Sequence, residues 1–120
     1  SNSYWAKGIP ECVFNKALEN SLCFAVLDED DKTVGFARMI TDKATFAYLA
    51  DVFIDETHRG LGLSKYLMQA IMEHADLQGL RRIMLATKDA HALYAQFGFV
   101  KLIDIDIFMQ LWNPAVYEIK

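Results

Sequence analysis

The sequence of 120 residues is poor in the residues that form disulfide frameworks and metal sites. It has two cysteines, Cys12 and Cys23, two prolines and three histidines. No Cys-x-x-Cys or His-Glu-x-x-His spacing occurs, so no metal site is expected. Two isolated cysteines indicate free thiols in a reducing compartment, and we therefore expect a cytoplasmic protein.

Long apolar runs and an excess of basic residues are also missing. No segment is long and apolar enough to predict a membrane span or a signal peptide, so a membrane partner is not expected. The formal net charge is -4, which argues against a broad nucleic-acid interface. Hydrophobic residues make up 53% of the chain, and its length predicts one globular domain over residues 1–120. Residues 1–3, Ser-Asn-Ser, resemble a cloning remnant and are left out of the fold prediction.

The first half of the chain predicts a helix followed by three strands. Helical spacing of apolar residues runs through residues 10–18. Strand-like runs then cover residues 22–27, 33–40 and 45–54. Because short turns join these runs, we expect an antiparallel meander.

The second half predicts two helices and two further strands. A helix begins at Leu63 and is closed by Gly79, and a strand covers residues 82–87. A short helix covers residues 89–97, and the last strand covers residues 99–109. In that strand four apolar residues alternate with Asp104, Asp106 and Phe108, which predicts one buried face. The four are Ile103, Ile105, Ile107 and Met109.

A crossover helix separates the third and fourth predicted strands, which implies that this pair is parallel. The expected fold class is therefore α+β, with α/β/α layers. Its sheet is mixed and mostly antiparallel, with helices on both faces.

A basic, glycine-containing turn links the third strand to the second helix. It reads Arg59-Gly60-Leu61-Gly62-Leu63-Ser64-Lys65. Glycines allow the backbone to curl, and a helix N-terminus presents unpaired N–H groups, so the turn predicts an anion site. A P-loop would need Gly-x-x-x-x-Gly-Lys-Ser/Thr, and a dinucleotide turn would need a glycine where Lys65 stands. The remaining pattern is a coenzyme A turn, Gln/Arg-x-x-Gly-x-Gly/Ala.

This turn resembles the acetyl-CoA signature of the GNAT superfamily of N-acetyltransferases. A second segment, Leu93-Tyr94-Ala95-Gln96-Phe97-Gly98-Phe99, is similar to that family's Leu-Tyr-x-x-x-Gly-Phe segment. The resemblance covers the chain from about Leu22 onward. It departs from the family pattern at Ser64, which replaces a glycine or alanine, and in an apparently missing first strand. A missing strand would expose the edge of the strand at residues 22–27, so a homodimer is possible.

The resemblance implies acetyl-CoA as the cosubstrate. Backbone N–H groups of the turn would hold its pyrophosphate, and the end of the third strand would pair with its pantetheine arm where the third and fourth strands splay apart. The implied binding residues are Val52, Phe53, Ile54, Arg59, Gly60, Leu61, Gly62, Leu63, Ser64 and Lys65.

The implied reaction is acetyl transfer to a primary amine of a small molecule or peptide. Tyr94 matches the family's tyrosine that protonates the leaving sulfur. Asp51 is the candidate general base, with Tyr48, Glu56 or a water chain as alternatives. Tyr4, Trp5 and Phe14 would line either the acceptor pocket or the core. The alternative function is a non-catalytic acyl-CoA-binding or sensing module, which would keep the turn without needing Tyr94.

Overall fold

The computed structural model describes residues 11–117, in which three helices accompany a four-stranded sheet. The helices are α1 (Glu11–Glu19), α2 (Leu63–Glu73) and α3 (His91–Ala95). The strands are β1 (Leu22–Leu27), β2 (Thr33–Thr41), β3 (Phe46–Ile54) and β4 (Arg82–Leu85). The predictions that concern residues 1–3, Tyr4, Trp5 and Pro10 lie outside the described residues.

The sheet has the strand order β1-β2-β3-β4. β1 to β3 form an antiparallel meander, and β3 pairs with β4 in parallel, so the predicted mixed and mostly antiparallel sheet is confirmed. Aspartates close both hairpins. Asp28 Oδ1 accepts hydrogen bonds from the N–H groups of Asp30 and Lys32, and Asp42 accepts from Thr45.

β4 is paired with β3 over its whole length, but β3 is the longer strand. Their pairing extends from Phe46 opposite Arg82 to Leu49 opposite Leu85, whereas β3 continues to Ile54. The β2–β3 register shifts at the same place, because Arg38 lies opposite Asp51 while Met39 lies opposite Leu49. Ala50 is thus the extra residue of a bulge, which bends a strand. β3 therefore extends five residues beyond its pairing with β4, and the expected splay of the two strands stays a prediction.

The core lies between the sheet and α2. Residues alternate along the strands, and the face that includes Ala37, Met39 and Leu49 packs with Leu67 and Ile71 of α2. Phe14 of α1 and Val34 of β2 are also buried, but they lie outside this cluster. Within residues 11–117, no helix is long and apolar enough to cross a bilayer.

The predicted last strand at residues 99–109 is wrong. This segment pairs with no strand and contains a 3₁₀ turn, Ile105–Ile107. Its four supposedly buried residues are 86%, 63%, 70% and 97% exposed. They are Ile103, Ile105, Ile107 and Met109 in that order. Alternation gives a strand only where another strand pairs with it, and here no backbone ladder joins the segment to β4, although the Arg82 guanidinium lies 5.6 Å from the centre of the Phe108 ring.

Smaller corrections concern element ends. β4 ends two residues earlier than predicted, and α3 is shorter at both ends. α2 ends at Glu73 rather than near Gly79, because the His74 ring accepts the Asp76 N–H at 3.0 Å and starts a separate 3₁₀ turn. No strand precedes β1 among the described residues.

The packing beneath α2 predicts a large difference between two isoleucines. Ile71 is 1% exposed, so Ile71→Ala removes buried contacts and leaves a cavity, which should lower the free energy of unfolding by about 2–5 kcal/mol. The control Ile105→Ala, at an exposed position, should change it by less than about 0.5 kcal/mol. Urea unfolding measures both values, and equal losses would contradict this account of the core.

Candidate functional site

The segment between β3 and α2 begins with a hydrogen-bonded 3₁₀ turn, Glu56–His58. The Asp55 carboxylate accepts the Thr57 hydroxyl at 2.6 Å and lies 3.0 Å from Nδ1 of His58. These two contacts, Thr57 first, hold the pKa of Asp55 below its ordinary value. The start of the turn is thus fixed by its own side chains.

Two glycines then reverse the chain into α2. Gly60 has φ +84° and Gly62 has φ +77°, both in the left-handed region that side chains disfavour. A Cβ atom added at either position would meet no atom within 4 Å. Backbone conformation therefore requires these glycines, and the space beside them is open to a ligand.

The backbone donors of the turn have no partners within the described chain. No hydrogen bond is made by the N–H groups from Gly60 to Lys65, and the first bond of α2 runs from the Tyr66 N–H to the Gly62 oxygen at 3.0 Å. The first turn of α2 carries no acidic residue. A helix N-terminus with free N–H groups and no carboxylate is suited to an anion.

A cavity of about 270 Å³ lies against this turn. Its lining residues are Ile54, His58, Arg59, Gly60, Gly62, Leu63, Ser64, Lys65 and Leu93. The structure therefore brings most of the predicted binding residues together. Leu61 points to solvent, and Val52 and Phe53 lie along β3 outside the lining.

Two lining residues were missed by the sequence prediction. His58 lies inside the basic turn, and Leu93 directly precedes Tyr94, so both lie within segments already singled out. Arg59 donates from Nε to the Ile54 oxygen at 3.3 Å, which ties the turn back to the end of β3. Ser64 is partly buried at the cavity wall, and Lys65 is exposed there.

Tyr94 is not among the residues that line the cavity, although its neighbour Leu93 is; it lies in the buried cluster that also contains Leu49. Gly98 has φ +94°, and the Phe99 and Gly98 N–H groups bond to the Tyr94 and Ala95 oxygens, which is a Schellman motif. This motif returns Phe99 onto the Tyr94 ring, with 6.0 Å between ring centroids. The glycine and phenylalanine of the Leu-Tyr-x-x-x-Gly-Phe pattern thus form this helix end and its ring contact with Tyr94.

The Tyr94 side chain is 8% exposed, and burial raises the pKa of its phenol above the ordinary value. No hydrogen bond of its hydroxyl is found among residues 11–117.

Asp51 follows the bulge in β3 and forms an ion pair. Its Oδ2 accepts from Nε of Arg38 at 2.7 Å. Strand alternation puts Asp51 and Tyr48 on the sheet face opposite α2, because their partners Arg38 and Ile40 share that face. Glu56 lies exposed in the 3₁₀ turn. In the described part of the chain, no three His, Cys, Asp or Glu side chains are grouped to hold a metal ion.

Comparison with known proteins agrees with this geometry. Residues 3–99 match the acetyltransferase (GNAT) family. A crystal structure of a GNAT-family protein from Xanthomonas campestris pv. campestris has 48% sequence identity and a TM-score of 0.89, covering 99% of this chain and 83% of that chain. The chain therefore belongs to the GNAT acetyltransferase family.

Two curated relatives carry acetyltransferase names. FG08082 of Gibberella zeae is 34% identical over 78% of this chain, and human N-acetyltransferase 8 is 32% identical over 69%. The chain spans 63% and 40% of the lengths of these two proteins. The SP0256 protein of Streptococcus pneumoniae, at 21% identity and a TM-score of 0.72, shares the fold.

The buried phenol predicts a pH effect on stability. A tyrosine in the unfolded chain titrates at about pH 10, and the folded pKa of Tyr94 is higher. The stability that comes from keeping this phenol neutral is therefore present below about pH 10 and is lost as the pH rises through the folded pKa. Tyr94→Phe should reduce the loss of stability between about pH 9 and 11.

Thermal unfolding across this pH range tests the effect. The control Tyr66→Phe changes an exposed tyrosine and should leave the pH dependence as it is in the unaltered protein. If Tyr94→Phe and the unaltered protein lose stability equally over this pH range, burial does not raise the pKa of the Tyr94 phenol.

Proposed function

We propose that this protein transfers the acetyl group of acetyl-CoA to a primary amine. The observation that carries the proposal is the row of unpartnered backbone N–H groups from Gly60 to Lys65 at the start of α2. A pyrophosphate is the anion that such a row suits, because it accepts several hydrogen bonds at once. Arg59 and Lys65 add positive charge at the cavity wall.

The end of β3 is a second part of the structure that fits acetyl-CoA. β3 extends beyond its pairing with β4, so the backbone between Ala50 and Ile54 has an edge that no described strand covers. An extended amide-containing arm can pair with such an edge in the manner of an added strand. Ile54 lies at the cavity wall, so this edge leads to the turn.

Acetyl-CoA, when bound, supplies an acetyl thioester to the incoming amine. Backbone N–H groups near Val52 to Ile54 would donate hydrogen bonds to the developing negative charge. The Tyr94 hydroxyl would give its proton to the leaving sulfur. Its raised pKa keeps it protonated at neutral pH.

We assign Asp51 as the general base that takes a proton from the acceptor amine. One carboxylate oxygen is engaged by Arg38, and Oδ1 has no described partner. That oxygen would accept a hydrogen bond from the amine and take its proton directly or through water. Tyr48 shares this face and is the alternative acceptor, whereas Glu56 is more distant in sequence from the bulge.

The turn assignment predicts the effect of a charge at Gly62. Gly62→Glu introduces a carboxylate where the anion would bind and should abolish acetyl-CoA binding in calorimetry. Gly79→Glu is a matched control, because Gly79 also has a positive φ and open space at its Cβ position but lies away from the cavity. Retained binding by the folded Gly62→Glu protein would contradict the turn assignment.

The assignment of Tyr94 predicts a loss of turnover with little loss of binding. Tyr94→Phe removes the proton donor, so kcat should fall by about 10²–10⁴-fold while the acetyl-CoA Kd stays nearly constant. Tyr66→Phe is the control and should retain full turnover. Unchanged kcat in Tyr94→Phe would exclude the role as acid.

The overall proposal is tested by measuring free thiol release from acetyl-CoA with a panel of amines. The panel should contain amino acids, polyamines, aminoglycosides, peptide N-termini and lysine side chains. Release that depends on one amine class supports the transferase and identifies its acceptor. Tight binding without amine-dependent release would instead indicate an acyl-CoA-binding or sensing module.

A further inference from the structure

Arg38 is the one arginine of β2, and it links two distant parts of the fold. Its Nε donates to Asp51 Oδ2 at 2.7 Å, and its Nη1 donates to the Ser21 hydroxyl at 3.1 Å. Ser21 in turn donates to the Ala17 oxygen at 2.7 Å, at the end of α1. The guanidinium thus bridges the end of α1 and the bulge of β3.

Burial makes this bridge more rigid than a surface ion pair. The side chains of Arg38 and Asp51 are 14% and 23% exposed, whereas those of the Lys43–Asp76 ion pair, at 3.8 Å, are 56% and 44% exposed. Partly buried, charge-assisted hydrogen bonds at short distance are stronger and less screened than exposed pairs. The Arg38–Asp51 contact therefore fixes both side chains.

The position of Asp51 in β3 relates this rigid contact to the proposed reaction. The last β3–β4 pair is Leu49 opposite Leu85, so Asp51 lies two residues beyond the end of this pairing. Its carboxylate has one oxygen held by Arg38, while Oδ1 has no partner among the described residues. A carboxylate with one engaged oxygen is oriented but still able to accept a hydrogen bond with the other.

We infer that Arg38 is a positioning residue for the acceptor amine. It holds Asp51 so that Oδ1 faces the amine at the opening between β3 and β4, and Ser21 holds Arg38. The inference rests on the proposed function, since it needs an amine acceptor. Arg38 itself touches neither acetyl-CoA nor the reacting atoms.

Loss of this orientation should affect turnover more than cofactor binding. Misplacing a catalytic group by about 1 Å can cost about 10²-fold in rate. Arg38→Ala should therefore lower kcat about 10–100-fold and leave the KM for acetyl-CoA unchanged. Arg38→Lys keeps the positive charge but loses the planar guanidinium that donates to both Asp51 and Ser21, so it should retain intermediate activity.

Two further measurements separate positioning from a general structural role. Methylguanidinium added to Arg38→Ala should restore part of its turnover, and it should not restore Asp51→Asn. The double variant Arg38→Ala/Asp51→Asn should be no slower than Asp51→Asn alone, because Arg38 acts through Asp51. Lys43→Met removes the exposed pair and should leave turnover unchanged.

The outcomes distinguish this inference from the proposed function. Amine-dependent thiol release by the unaltered protein is measured first, and its absence would overturn the proposed function together with this inference. If release is present, full turnover by a folded Arg38→Ala protein would overturn only the positioning role. Losses that multiply in the double variant, or methylguanidinium rescue of Asp51→Asn, would overturn it as well.

Discussion

The bulge at Ala50 in β3 is the constraint on which the proposed site depends. It shifts the β2–β3 register, so that Asp51 lies opposite Arg38 on the sheet face away from α2. β3 shares four paired positions with β4 and then continues to Ile54 after β4 has ended. This end of β3 has a backbone edge that no described strand covers, and it leads into the glycine turn. The proposed cofactor side and the proposed acceptor side therefore both depend on this one strand.

The turn that we propose to bind the pyrophosphate offers a ligand mainly backbone groups. Gly60 and Gly62 adopt left-handed conformations, and the N–H groups that follow them are left without partners among the described residues by the geometry of a helix start. The Leu61 side chain is exposed, and Ser64 lies at the cavity wall. Because this backbone geometry requires two glycines, it leaves a pattern in the sequence, whereas the proposed acceptor side has no comparable pattern.

Local signals predicted the meander, α2 and the turn, because each depends on residues close in sequence. The predicted last strand is wrong because alternation of Ile103, Ile105 and Ile107 gives a strand only if a sheet edge pairs with it, and this segment forms no strand. The Arg38–Asp51 pair could not be predicted either. Its partners are 13 residues apart, and their register depends on a bulge that no local pattern marks. No signal in the sequence selects Arg38, rather than another arginine, as the partner of Asp51.

The basic turn also has a kinetic consequence. The chain as a whole carries a net charge of -4, yet the start of α2 combines Arg59, Lys65 and a helix dipole with no carboxylate in its first turn. The pyrophosphate of the proposed cosubstrate would be attracted to this turn although the chain as a whole is negative. Diffusional encounter would then be favoured at the cavity mouth, and because the screening length is about 8–10 Å at moderate ionic strength, added salt would slow arrival more than departure.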